Sequence, residues 1–350
     1  MPDPITLVCD SRFHRRITID TTHGVLSVSF ADIGCPTGPA LLYLPGMFAS
    51  RYLGVPMHVM AERAGVRMIV VDRPGMGGST DVPLSQRFDV WVELVPKLLA
   101  HLDIQRVSLA SHSAGTMYLF NTWARCRDHV DPFIFLLAPW VDLAHSRVTS
   151  LQIAKYLPNK AFDYWHLIPR FFVTRASPVL ASSGAVMRRM SMSSGIGTTQ
   201  ADEDRTFLDE NFRRIERDYG VPKKESEELS RLAINFMFTE NTVGANSEAL
   251  QCLRKGDGGE WGVCGDYAAC RNTLAELERQ RDRSERATIR AYFSETDALV
   301  GSRGQKYFEE SWKTPSLEEV DFECKMIKGT DHDTVAQSVG VWEEVFSLVH

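Results

Sequence analysis

Val107-Ser108-Leu109-Ala110-Ser111-His112-Ser113-Ala114-Gly115 is a short apolar run that breaks into small and polar residues, and an apolar stretch of helical character, Met117 to Arg125, follows it. A short run followed by a longer periodic one reads as strand and then helix, so Ser113 falls at a sharp strand-to-helix turn. Such a turn exposes the serine Oγ above the sheet and crowds its neighbours. It therefore demands small residues two before and two after, which Ser111 and Gly115 supply. The following helix N-terminus places partial positive charge at the same spot. Glycine is the more usual residue at the position of Ser111, a mild departure. Taken alone, S-x-S-x-G resembles many serine-rich turns; its surroundings decide the reading.

Working outward, Ala40 to Leu44, Val66 to Val71 and Phe133 to Ala138 are also nearly continuous apolar runs bounded by Gly and Pro. Runs of this kind suit strands buried on both faces of a parallel sheet. Between them, Phe88, Trp91, Val95, Leu98, Leu99 and Leu102 fall on one helical face, with Pro96 expected to kink it. Upstream, Ile17 to Ile19 and Val25 to Phe30 alternate as an antiparallel pair would. Downstream of Leu143 the strand signals stop until Thr288 to Phe293 and Phe322 to Ile327. The intervening chain shows a stripe at Leu229, Leu232, Ala233, Phe236 and Met237, and a second at Phe207, Phe212, Ile215 and Tyr219. Ala176 to Gln200 reads as a long Ser-, Gly- and Met-rich loop. Helices are expected at Arg303 to Trp312 and Thr334 to Val349. The pattern is an α/β core with helices on both sheet faces, interrupted by a helical insertion.

Two more motifs sharpen this. Asp72-Arg73-Pro74-Gly75-Met76-Gly77-Gly78-Ser79 precedes the serine turn by one strand–helix unit, and Leu44-Pro45-Gly46-Met47 ends the strand before that. In these three motifs, in this order, the chain resembles the α/β-hydrolase superfamily. The resemblance implies a mostly parallel central sheet with a large helical cap inserted after strand 6: core residues 1–142 and 265–350, cap residues 143–264. It also implies that the backbone N–H groups of Met47 and Ala114 form an oxyanion hole. Pro45 stands where the family has a His, which removes neither donor because both are backbone groups. The Leu44 to Gly54 turn and Trp261 to Tyr267 are most similar to capped hydrolases common in fungi, some of them in secondary metabolism.

A serine needs a base and an orienting acid, expected here in the order Ser, acid, His. Asp297 follows the strand Thr288 to Phe293, and His332 follows Phe322 to Ile327; strand C-terminal ends are where an open parallel sheet presents its chemistry. Asp142 also follows a strand, and some family members place the acid there, so it is the alternative to Asp297. Each residue has a plainer reading. Asp297 fits a helix N-cap, and His332 with Asp331 and Asp333 fits a surface or metal-like cluster. His112 is expected to pack beside the turn, and Asp72 and Arg73 to form an ion pair that fixes their own loop.

Composition removes other classes. The 350 residues carry 39 Lys and Arg against 45 Asp and Glu, net −6, which offers no electrostatic footprint for nucleic acid. No apolar run approaches the ~20 residues of a membrane span, and the first residues lack a signal-peptide core. Seven scattered cysteines without a C-x-x-C pair suggest reduced thiols in a cytoplasmic setting and no structural metal. Gly75-Met76-Gly77-Gly78 lacks the spacing of a nucleotide loop. Arg279, Arg281, Arg283 and Arg286, interleaved with Glu278, Asp282 and Glu285, read as a solvated helix face.

The expectation is a serine hydrolase without metal or organic cofactor, acting on a carboxylic ester, thioester or lactone of a mid-sized hydrophobic small molecule. Ser113 is the nucleophile, His332 the base and Asp297 the orienting acid, with an acyl-enzyme between. Trp140, Trp165, Phe171, Phe172, Met187, Met190, Phe236 and Met237 are available to line an apolar chamber, though most are expected to form the cap's own core. Activity should fall in acid as His332 protonates, near 6.5 if its pKa is ordinary. The alternatives are the same triad running C–C cleavage, lyase or acyl-transfer chemistry, or a ligand-binding protein with a vestigial triad. A family with an Asp nucleophile, such as the haloalkane dehalogenases, is disfavoured by Ser113. The sequence is compatible with a homodimer.

Overall fold

The computed structural model describes residues 3–167, 197–280, 286–313 and 318–349. Its strands are β1 (Arg15–Thr21), β2 (Gly24–Gly34), β3 (Ala40–Leu44), β4 (Arg67–Val71), β5 (Val107–His112), β6 (Val130–Leu137), β7 (Ala287–Thr296) and β8 (Val320–Asp331). They form one eight-stranded sheet in the order β1-β2-β4-β3-β5-β6-β7-β8. The alternating pair β1 and β2 is antiparallel, β2 runs antiparallel to β4, and every later pairing is parallel.

Helices are α1 (Pro4–Val8), α2 (His58–Arg63), α3 (Arg87–His101), α4 (Gly115–Arg125), α5 (Leu143–Ser146), α6 (Thr149–Ala154), α7 (Gly197–Tyr219), α8 (Lys223–Thr239), α9 (Gly244–Cys252), α10 (Tyr267–Arg279), α11 (Gly301–Lys313) and α12 (Val339–Leu348). Six of them, α5 to α10, lie between β6 and β7, and among the described residues this insertion contains no strand.

Burial on both faces explains the continuous apolar runs. In β3, Leu42 and Leu44 join the apolar cluster that holds Trp91, Leu98 and Trp123, whereas Leu41 and Tyr43 join the one that holds Met60, Trp342 and Phe346 on the other side. Successive side chains of a strand point to opposite faces, so a strand covered twice cannot spare a polar position. Helix α3 runs through Pro96 without ending. Proline cannot donate to the carbonyl four residues back, and the freed Val92 oxygen accepts instead from the Cys126 thiol at 3.3 Å.

Two sequence readings need correction here. Helix α7 begins at Gly197, so the loop read over Ala176 to Gln200 ends earlier than expected; residues 176–196 lie outside the described residues. The stripe from Phe207 to Tyr219 nucleates a helix, and extending it backward fixes few further dihedrals per hydrogen bond gained. The basic run does not share one helix face: α10 stops at Arg279, and Arg286 directly precedes β7 and donates to the Val320 carbonyl at 3.1 Å. Residues 281–285 lie outside the described residues. The glycine-rich loop after β4 holds the insertion. Gly77 N–H donates to Asn241 O at 2.8 Å, and Gly244 N–H to Gly75 O at 2.9 Å. A Cβ on Gly75 would sit 2.7 Å from the Gly244 backbone.

At the front of the sheet, a Cβ on Gly115 would lie 2.0 Å from the Leu44 carbonyl oxygen. Helix α4 can therefore start beneath the end of β3 only with glycine there. Gly115→Ala is expected to destabilise by about 2 kcal/mol or more, in the range of overpacked cores. Gly265→Ala, whose new methyl would meet nothing nearer than 3.6 Å, should be close to neutral. Urea denaturation midpoints of the two variants check this; equal midpoints would refute it.

Candidate active site

Ser113 directly follows β5 and adopts φ +51°, the left-handed region that a non-glycine residue rarely enters. Its N–H reaches across to Leu137 O at 3.1 Å, and its own carbonyl accepts from Thr116 N–H at 3.0 Å, which begins α4. The turn aims the side chain at the end of β8. His332, the residue after that strand, places Nε2 2.7 Å from Ser113 Oγ. Its Nδ1 lies 2.8 Å from Asp297 Oδ2, just past β7. All three side chains are buried or nearly so.

The two readings of Asp297 use different oxygens. Oδ1 accepts from the N–H groups of Leu299 at 2.9 Å and Val300 at 2.7 Å, as a local cap does. Oδ2 is left to His332 and, at 3.3 Å, to Ser294 Oγ. Burial by itself would raise the Asp297 pKa, but the His332 charge and these N–H groups reverse the effect and hold it below the ordinary value. His332 shows the complementary balance. Burial would drive its proton off, yet the Asp297 carboxylate, helped by Asp333 and Asp331, outweighs burial and pushes the pKa up to about 9. With a carboxylate on Nδ1, the tautomer that carries its proton there leaves Nε2 free to accept from Ser113.

Asp142 is differently employed. Its carboxylate caps α5 through the Ala144 N–H and pairs with Arg254 at 2.8 Å. It is Asp297 that meets the histidine. His112 does more than pack: its Nε2–H donates to the His332 carbonyl at 2.7 Å, tying β5 to the loop after β8. Burial, followed by the nearby His332 charge, pushes its pKa down to about 4, so its ring stays neutral in that contact. Asp331 folds its carboxylate onto Thr334, accepting from both the N–H and the hydroxyl at 2.9 Å.

The expected Asp72–Arg73 pair does not form. Neighbouring side chains at a strand end diverge, and each finds a distant partner instead. Asp72 binds Arg51 at 2.6 Å. Arg73 binds Glu248 of α9 at 2.6 Å and donates to the carbonyls of Pro45 and Gly46, the latter at 2.8 Å. Neither Glu248 nor Arg51 carries a local sequence signal, because the contacts span 175 and 21 positions. The Leu44–Met47 turn lies against the serine: a Cβ on Gly46 would fall 3.3 Å from Ser113 Cβ. Among the described residues, neither the Met47 nor the Ala114 N–H has an acceptor.

No family model matches the chain, and no curated protein matches it in sequence. Solved structures do. An alpha/beta hydrolase fold protein from Nakamurella multipartita superposes with a TM-score of 0.58 at 16% identity, covering 96% of this chain and 99% of the other. A carboxylesterase of the thaumarchaeon Nitrososphaera gargenis gives 0.55 at 11% identity, over 95% and 96%. An esterase from Rhodococcus gives 0.53 at 15% identity, over 96% and 99%. The chain has the α/β-hydrolase fold.

Within this α/β-hydrolase fold the apolar side chains singled out from sequence part ways. Trp140 is buried and stands edge-on to His332, ring centres 6.4 Å apart. Trp165 is partly buried against the core on both sides of the sheet. Phe236 stacks on Tyr52 at 5.9 Å, and Met237 is buried in the core. Phe171, Phe172, Met187 and Met190 lie outside the described residues. All seven cysteines are free thiols. No helix among the described residues is long and apolar enough to cross a membrane.

The raised His332 pKa has a definite sign. The neutral, proton-accepting ring is populated on the alkaline side of the midpoint, so that midpoint moves above the ordinary 6.5. Asp297→Asn removes the largest opposing charge, leaves burial against Asp333 and Asp331 alone, and should move the midpoint down. Proton NMR titration of the His332 ring in both proteins is the check. A midpoint that the substitution leaves in place would contradict this origin of the shift.

Proposed function

We propose that the chain is a serine hydrolase that cleaves carboxylic esters, thioesters or lactones of mid-sized hydrophobic molecules. One observation carries the reading: the continuous chain of contacts from Ser113 Oγ through the His332 ring to Asp297 Oδ2, at 2.7 and 2.8 Å. The three residues joined by these two contacts fit the roles of nucleophile, general base and orienting acid. The names of the structural neighbours, a carboxylesterase and an esterase among them, support ester chemistry at that general level.

In the proposed reaction Ser113 Oγ attacks the acyl carbon while its proton passes to His332 Nε2. Negative charge gathers on the former carbonyl oxygen, and the N–H groups of Met47 and Ala114 receive it. Such preorganised donors cost no reorganisation during the reaction, and each contributes about 10²- to 10³-fold in kcat. The imidazolium then protonates the leaving oxygen or sulfur, and an acyl-enzyme remains. Water then attacks the acyl carbon while His332 Nε2 takes its proton; the bond to Ser113 Oγ breaks, Oγ recovers that proton from His332, and the acid leaves.

The domain reading belongs to the same proposal: residues 143–264 form a cap over a core of 1–142 and 265–350. The loop contacts from Gly75 and Gly77 to the insertion at Asn241 and Gly244 support a cap fixed at this edge. A cap over the serine excludes bulk water and favours an apolar acyl group over a peptide or polymer.

The test pairs labelling with product analysis. A fluorophosphonate probe should modify the wild type and leave Ser113→Ala unmodified, and turnover of short-chain p-nitrophenyl esters should fall by about 10³-fold or more in that variant. In ¹⁸O-water the released acid should carry one heavy oxygen. A wild type that resists the probe would point to a ligand-binding protein, and an unlabelled product to acyl transfer or a lyase.

A further inference from the structure

The geometry points to Arg73 as a positioning residue for acyl transfer: its guanidinium, anchored by Glu248, aims and polarises the Met47 N–H from behind. This rests on the serine-hydrolase reading above. Its basis is the planarity of the peptide unit. The Gly46 C=O and the Met47 N–H belong to one rigid plane and point in opposite directions. Whatever grips the Gly46 oxygen therefore sets where the Met47 N–H points. Arg73 Nη2 grips that oxygen at 2.8 Å, while Nη1 holds the preceding carbonyl of Pro45. Ala49 N–H adds a weaker contact to the same Gly46 oxygen at 3.3 Å.

The cation itself is fixed on all sides. Arg73 is 1% exposed, and Glu248 receives its Nε at 2.6 Å and its Nη2 at 2.9 Å. The Tyr118 ring lies 5.2 Å from the guanidinium carbon. Glu248 is completely buried and faces a second buried arginine, Arg87, at 3.5 Å. A planar guanidinium suits this place because it spans two carbonyls and a carboxylate at once, which an ammonium cannot. A charged donor on the carbonyl side also draws electron density through the peptide and strengthens its N–H as a donor. The Ala114 N–H is set in the same manner by weaker means, since the carbonyl of its own peptide unit, Ser113 O, accepts from Thr116 N–H at 3.0 Å.

Glu248 belongs to α9, within the insertion between β6 and β7. The proposed oxyanion donor is thus held through one ion pair by the segment that the proposed cap comprises. A displaced α9 would loosen the Gly46–Met47 peptide without touching the serine relay.

The experiment uses full-length protein labelled with ¹⁵N-methionine, the Met47 resonance being assigned through Met47→Leu. A fluorophosphonate on Ser113 places a P=O oxygen where the oxyanion would form. The Met47 amide proton should then move downfield in wild type and markedly less in Arg73→Lys, which keeps the charge but not the fork. With a p-nitrophenyl ester, Arg73→Lys should lose about tenfold to a hundredfold in kcat, less than the loss of a whole oxyanion donor. KM and the midpoint of the pH–rate profile should stay in place. Glu248→Gln, which retains Arg73 but loosens it, should show the same signature more weakly and serves if Arg73→Lys does not fold. Equal Met47 shifts in wild type and variant, or a rise in KM with kcat intact, overturns the role of Arg73 alone. A Met47 resonance that phosphonylation leaves unmoved in wild type removes the donor, and this role with it. A wild type that takes no phosphonate fails at the earlier step, the serine reading itself.

Discussion

The backbone of Ser113 is bent into a conformation that costs of order 1–3 kcal/mol for a residue with a side chain, and the surrounding structure exists in a form that enforces it. Its N–H is tied to β6 at Leu137 and its carbonyl to the first turn of α4. Gly115 lets that turn slide beneath the Leu44 carbonyl. Relaxing the bend would turn the hydroxyl away from His332 and pull α4 off the end of β3. Fold and site share one constraint at this point: the arrangement that packs helix under strand is the one that presents Oγ.

Parallel pairing does the rest. Because β3, β5, β6, β7 and β8 all run the same way, the residues after each strand collect along one edge, whatever their separation in the chain. Thr296 pairs with Asp331, so the next residue of each strand, Asp297 and His332, meet naturally. Leu44 pairs with Ser111, which brings the Pro45–Met47 turn against Ser113 in the same way. The long insertion between β6 and β7 leaves this logic undisturbed, since it leaves and re-enters the sheet at strand ends.

What could be read in advance follows from this geometry. Ser113, Asp297 and His332 were legible because each sits just past a recognisable strand, and strand ends are one-dimensional features. Partners of buried charges are not. Arg73 looked like the mate of Asp72, yet adjacent side chains diverge, and Glu248 and Arg51 were invisible without coordinates. The start of α7 was missed because helix propagation from Phe207 overrode local Ser and Gly content. The glycines after β4, whose spacing already spoke against a nucleotide loop, admit the backbone of the insertion, a contact that no local pattern announces.

The outcome is a site in which charge is arranged in two separate layers. The inner layer is the Asp297–His332 pair, whose opposite pKa shifts make the histidine a stronger proton acceptor than burial would allow. The outer layer is the buried Arg73–Glu248 pair, which grips the turn beside the serine. A crystal structure of the phosphonylated protein tests the convergence of these parts most directly. It should show phosphorus bonded to the oxygen of residue 113, the phosphoryl oxygen within about 3 Å of the amide nitrogens of Met47 and Ala114, and the His332 ring facing the vacated leaving-group side. Phosphorus on another side chain, or a phosphoryl oxygen turned out to solvent, would contradict it.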